Sequence, residues 1–152
     1  MMAILLGGLG ISFLLVRDEE TKISRTSALL EFSIFLKDSV ENYSMSASEI
    51  LRSCDERLLE RCGYETGAEL PKTFLDFVSK IDVPDSESRR AVDSLVRDFG
   101  SCYRREQVDK CERCISALRK REDSMVRAFP IRKKVIISVC VCASLVLLIL
   151  LL

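Results

Sequence analysis

The chain has 152 residues, with 23 Lys and Arg against 23 Asp and Glu, seven Cys, no His and no Trp. That length fits one domain, and zero net charge argues against a nucleic-acid binder, whose affinity comes largely from excess Lys and Arg. Without His there is no His-based triad, general base or metal site.

Charge is unevenly placed: residues 1–16 and 135–152 carry none, so all of it lies in residues 17–134. The first apolar run, Met1 to Val16, contains Gly7, Gly8 and Gly10. It is short for a membrane span. A signal peptide needs a basic leader and a small-residue cleavage site. No basic residue precedes this run, and Arg17-Asp18-Glu19-Glu20 follows it. The run therefore reads as an uncleaved anchor. The spacing of Gly7 and Gly10 allows another helix to come close.

A first amphipathic helix is predicted from about Lys22 to Tyr43. Its apolar residues Ile23, Leu29, Leu30, Phe32, Ile34, Phe35, Leu36 and Val40 cover more than one stripe, which predicts deep burial. Asn42-Tyr43-Ser44 is a formal glycosylation sequon, without meaning in a cytoplasmic segment. Ser46-Ala47-Ser48-Glu49 is a capping box that opens a second helix. Ile50, Cys54, Leu58 and Cys62 follow at four-residue intervals, and Gly63 fits a left-handed stop. Cys54 and Cys62 thus read as core positions.

Pro71 suits the first turn of a short third helix with Phe74, Leu75, Val78 and Ile81 on its apolar face. Asp85 or Ser86 caps a fourth helix, which carries Ala91, Val92, Leu95, Val96 and Phe99 and ends at Gly100. The longest helix is predicted from Arg104 to Phe129. Val108, Cys111, Ile115, Leu118, Glu122, Met125 and Phe129 form its heptad-like seam. Glu106/Lys110 and Asp109/Arg113 are acid-first i,i+4 pairs. Pro130 is expected to break or kink this helix.

The chain closes on Val135 to Leu152, whose 18 residues as a helix span roughly 27 Å, close to a bilayer core. Ser138 and Ser144 can bond their own backbone carbonyls there. Arg17, Lys22 and Arg25 follow the first run, and Arg132, Lys133 and Lys134 precede the second. The positive-inside rule then places residues 17–134 in the cytoplasm and both termini outside. Cytoplasmic cysteines stay mostly reduced. The expected fold is all-α: a small antiparallel helical bundle (17–134) between transmembrane helices at 1–16 and 135–152.

Within the middle segment charge is polarised. Residues 17–103 hold 12 basic and 18 acidic side chains; residues 104–134 hold 11 basic and 5 acidic. The last helix either neutralises the earlier ones, lies near anionic headgroups, or simply has a solvated face. Cys111-Glu112-Arg113-Cys114 is a C-x-x-C motif, but it lies mid-helix with Cys111 on the apolar seam, and a zinc site would need a second pair. No phosphate-cradling Gly loop is present. Nothing in the sequence argues for catalysis, a cofactor or a small-molecule substrate. A protein of this plan is expected to bind other proteins.

Three stretches carry a family resemblance: the Gly-rich anchor Leu6 to Leu15, the segment Val40 to Leu51, and Asp98-Phe99-Gly100-Ser101-Cys102-Tyr103-Arg104-Arg105-Glu106-Gln107 with the helix from Cys111 to Glu122. In these the chain resembles the stage III sporulation protein AB family of endospore-forming bacteria, related to the cytoplasmic domains of the type II secretion inner-membrane platform protein. Tyr103 stands where that family usually has an acidic residue.

The resemblance implies a non-enzymatic platform subunit of a secretion-like channel complex between mother cell and forespore. It would sit in the mother-cell or forespore outer membrane and couple a secretion-type ATPase to membrane and ring components. It also implies a partner contact around Asp98, Arg104, Arg105 and Gln107. The alternative at that place is that Gly100 and Gln107 only shape the break between helices. A membrane-tethered thiol or zinc sensor using Cys102, Cys111 and Cys114 is the alternative for the whole chain.

Overall fold

The computed structural model describes residues 2–43, 45–65, 70–97 and 99–150, without the side chains of residues 2–6, 8, 9 and 148. The described residues form six helices and no strand: α1 (Met2–Asn42), α2 (Ala47–Ser53), α3 (Glu56–Arg61), α4 (Phe74–Lys80), α5 (Ser86–Val96) and α6 (Arg104–Leu150). The protein is all-α. Its contacts divide it into a terminal unit, Met1–Lys22 with Ser124–Leu152, and a central unit, Ile23–Asp123.

Local chemistry sets the helix ends in the central unit. The Ser46 capping box forms on both sides: the Glu49 amide donates to Ser46 Oγ, and the Ser46 amide donates to Glu49 Oε2 at 2.7 Å. The predicted single helix from 46 to 63 is instead two. Cys54 leaves helical geometry, and Asp55 caps α3 by accepting from the Arg57 amide at 3.0 Å. The four-residue burial of Ile50, Cys54, Leu58 and Cys62 continues across the two helices, which is why periodicity alone reads through the break. Gly63 follows with φ +90°. Thr73, not Pro71, caps α4. The buried face of α4 is therefore Phe74, Phe77, Val78 and Ile81, and Leu75 is 63% exposed, against expectation.

Asp85 caps α5. It accepts from the amides of Glu87 (2.9 Å) and Ser88 (3.1 Å) and from the Ser88 hydroxyl (2.8 Å). Arg121 Nε lies 3.2 Å from Asp85 Oδ1, a contact of charge rather than an aligned hydrogen bond. Burial raises the pKa of the Asp85 carboxyl, but the Ser88 and Glu87 hydrogen bonds and the Arg121 charge outweigh it, leaving it below the ordinary 3.8. A depressed folded pKa gives stability that is present above the unfolded value and lost as pH falls through the folded one. Asp85→Ala is expected to cost about 1–2 kcal/mol near neutral pH, read as a lower urea midpoint. Asp85→Asn keeps the cap but should flatten the acid side of the stability profile below pH 3.8.

The core joins all six helices. Leu29, Phe32 and Leu36 of α1 meet Ile50 and Leu51 of α2, Leu59 of α3, Phe77 of α4, Leu95 of α5 and Leu118 of α6. Phe32, Tyr64, Phe74, Phe77 and Phe99 form a chain of ring contacts, with Phe74 and Phe99 at 4.5 Å and Phe32 and Phe77 at 5.1 Å. The polar residues that fall inside α1 bond to their own helix: Ser33 to the Leu29 carbonyl (2.8 Å) and Ser39 to the Phe35 carbonyl (2.9 Å). Ser33 touches Cys114, Lys37 pairs with Glu112, and Arg104 reaches Val40, so α1 and α6 run antiparallel here. Asp85 and Glu87 lie by Arg121, while Arg97 lines a groove with Lys110. Hence α5 is antiparallel to α6 as well.

In the terminal unit, Arg132 bonds to Glu19 at 2.9 Å, and Lys22 pairs with Asp18 and Glu19. Residues 17–22 and 124–134 fall in the same compact unit as the apolar runs. Burial raises the Glu19 carboxyl, but the bonds from Arg132 and Lys22 prevail and hold its pKa below the ordinary value. No cap interrupts α1 between its apolar run and the amphipathic stretch; the two expected helices are one. Likewise α6 continues through Pro130 instead of ending there. Proline removes one amide donor, leaving the Val126 carbonyl without it, and both residues are exposed, where water can serve that carbonyl.

Side chains of this unit are sorted unusually. Ser12 and Ser144 are buried, while Phe13, Leu14, Val139, Val146 and Ile149 are more than half exposed. Ser144 donates to the Cys140 carbonyl at 2.8 Å, as expected. Gly7 and Gly10 have open space where a Cβ would stand, so their spacing serves no close approach among the described residues. Among the described residues no helix is long and apolar enough to cross a membrane. The C-terminal run is described over 135–150 only, two residues short of its length in the sequence.

Candidate functional site

Three breaks in the helical frame meet at one end of the central unit: the C-terminus of α1, the turn after α5, and the first turn of α6. They line an open groove of about 570 Å³. The last carbonyls of a helix lack intrahelical donors and carry partial negative charge. Arg104 answers this at α1, with Nε donating to the Val40 carbonyl at 2.9 Å. Gln107 donates from Nε2 to the Cys102 carbonyl at 2.9 Å and so ties the turn to α6. Gly100 has φ +88° with open space around it. It is required by backbone conformation, not by crowding.

Arg104 and Gln107 therefore both line this groove and both hold the fold around it. Arg105 is exposed beside them, and Asp98 lies outside the described residues. Sequence reasoning missed the apolar share of the groove. Tyr43 is 60% exposed and Met45 41%, and both line it. Tyr103, next to it in the chain, is 88% exposed. Their signal was large apolar side chains at a predicted helix end or between predicted helices, where burial does not call for them. An exposed mix of aromatic, Met and Arg side chains is the composition of a protein-binding surface. None of these groups is a nucleophile beside a base.

The cysteines are placed differently. None of the seven forms a disulfide. Cys54, Cys62, Cys111 and Cys114 are buried, and burial pushes their thiols to about 11, 12, 12 and 11. At neutral pH they stay protonated and are poor nucleophiles and ligands. Cys102 is half-exposed, with Lys110 Nζ 3.1 Å from its Sγ. No group of His, Cys, Asp or Glu among the described residues is arranged to hold a metal ion. In the folded chain at neutral pH, a maleimide is expected to modify Cys102 and leave Cys54, Cys62, Cys111 and Cys114 unmodified, as read by peptide mass mapping. Rapid labelling of Cys111 or Cys114 would restore a thiol role for the C-x-x-C pair.

Comparison with family models, with curated proteins and with solved structures yields no match, so what the groove does must be read from its own residues.

Proposed function

We propose that the protein is a non-enzymatic, membrane-anchored platform subunit that works by binding other proteins, as the resemblance to the stage III sporulation protein AB family implies. In this reading it serves a secretion-like channel complex between mother cell and forespore and binds a secretion-type ATPase and ring components. Residues 17–134 face the cytoplasm, and both ends enter the membrane. One observation carries the membrane part. The terminal unit buries Ser12 and Ser144 along with Val16 and Met125, and turns Phe13, Leu14, Val139, Val146 and Ile149 outward. So many large apolar side chains turned outward is unlike a water-exposed helix pair, and it suits helices inside lipid that pack partly through small polar residues. The groove at Tyr43, Met45, Arg104 and Gln107 is the proposed partner contact.

The test has two parts. Topology reporters fused at each terminus and within the central unit should report both ends outside and the centre inside. A leader clipped from the front, or an exported centre, would overturn the anchored reading. A photo-crosslinking residue in place of Met45 or Tyr103, in sporulating cells, should capture the ATPase or a ring protein. Correct topology without such capture would keep the anchor and remove the platform role.

A further inference from the structure

A second groove of about 480 Å³ lies between α5 and α6, built from different residues. Arg90 and Arg97 stand along one wall, Lys110 and Arg113 along the other, with Asp93 and Ser94 between the two arginines. Ala91 and the buried Cys114 contribute an apolar share. Lys110 lies 3.7 Å from Glu106, and Arg113 uses its Nε on the Asp109 carbonyl at 3.3 Å rather than on that carboxylate. Among the described residues, Arg90 and Arg97 close no ion pair, and neither pairs with Asp93. Some exposed cations of the bundle do find carboxylates, as Arg61 does Glu31 and Lys37 does Glu112. Within the groove four cations face one carboxylate.

We propose that this groove binds an acidic helical segment of another protein. The spacing of the charges favours a segment over a single small anion. Arg90 and Arg97 are two helical turns apart, roughly 10 Å. A lone phosphate is held best by donors converging on one point, and here Asp93 repels an anion at the middle of the wall. A helix laid in the groove avoids that conflict. It can present carboxylates seven residues apart to Arg90 and Arg97, and a cationic or donor side chain to Asp93 between them. Its apolar flank then covers Ala91 and Cys114, the usual manner of helix-in-groove recognition. The groove would serve such a partner whether or not the flanking runs enter a membrane.

The test uses the full chain in neutral detergent and a fluorescent alanine-based helical peptide carrying two Glu seven residues apart with Lys between them. An isomer of the same composition with the two Glu adjacent is the comparison. By fluorescence anisotropy the spaced peptide should bind about tenfold tighter or better. The double variant Arg90→Glu/Arg97→Glu should lose at least that factor and regain it with a peptide whose charges are reversed. Lys120→Glu, on an exposed part of α6 outside the groove, should change little. Equal binding of the two isomers, or an unaffected double variant, overturns the proposal. So does tight binding of glycerophosphate at the same arginines, which would make the groove a headgroup site. Concentration-dependent self-association abolished by the double variant would make a second copy of the chain the occupant, and would also overturn it.

Discussion

Phe77→Ala is expected to destabilise the central unit by about 3–5 kcal/mol, the range for truncating a buried aromatic residue. Against a typical domain stability of about 5–15 kcal/mol this approaches loss of the fold. Phe77 is fully buried in a helix of only seven residues. Such a helix has little stability of its own and persists through the surface it buries. Its ring lies 5.1 Å from Phe32 and 5.8 Å from Tyr64, so it links α1, α4 and the stretch after Gly63. Truncation removes both ring contacts and leaves a void that close-packed neighbours fill only in part. Leu75, two positions away, is the control. It is 63% exposed, and Leu75→Ala should stay within about 0.5 kcal/mol. Urea unfolding followed by circular dichroism compares the two. Equal losses would mean that α4 turns a different face to the core.

The contrast between those neighbours shows what the sequence could and could not disclose. Once the helix is known to start at Phe74, the i, i+3, i+4 and i+7 rule selects 74, 77, 78 and 81. Taking Pro71 as the start shifts the face and brings in Leu75. Ends marked by side-chain chemistry were legible: the Ser46–Glu49 box, the Asp85 cap and the stop at Gly63 all stand where the residue types put them. The break at Cys54 was not, because burial at 50, 54, 58 and 62 keeps its four-residue spacing across it. Asp55, an efficient N-cap, was the signal available. At the candidate site Arg104 and Gln107 could be named from sequence, whereas Tyr43 and Met45 could not. What places them together is the antiparallel return of α6 along α1, a tertiary fact. The basic groove is a similar case. The basic excess after residue 104 is visible in the sequence, but its convergence with Arg90 and Arg97 depends on α5 lying antiparallel to α6.

Gly63→Ala and Gly100→Ala form the second pair, and the difference between them is the informative quantity. Both glycines have nearly the same backbone, φ +90° and +88°. Left-handed conformations cost an L-residue about 1–2 kcal/mol, so each substitution should lose at least that much. Their surroundings differ. A Cβ on Gly100 meets nothing within 4 Å. A Cβ on Gly63 would stand 3.2 Å from the backbone nitrogen of Asp82 and 3.7 Å from its Cβ. That neighbour is main chain between α4 and α5, held near by Ile81, which is buried in the core, and by the Arg25–Asp82 ion pair. Backbone yields less readily than the end of a flexible side chain. Gly63→Ala should therefore lose about 1–3 kcal/mol more than Gly100→Ala, the usual cost of overpacking. The extra loss should shrink in an Arg25→Ala background, where Asp82 is freer to move. A double-mutant cycle in urea measures that coupling. If the two glycine variants lose the same amount, Asp82 gives way without cost, and the stop after α3 depends on backbone conformation alone.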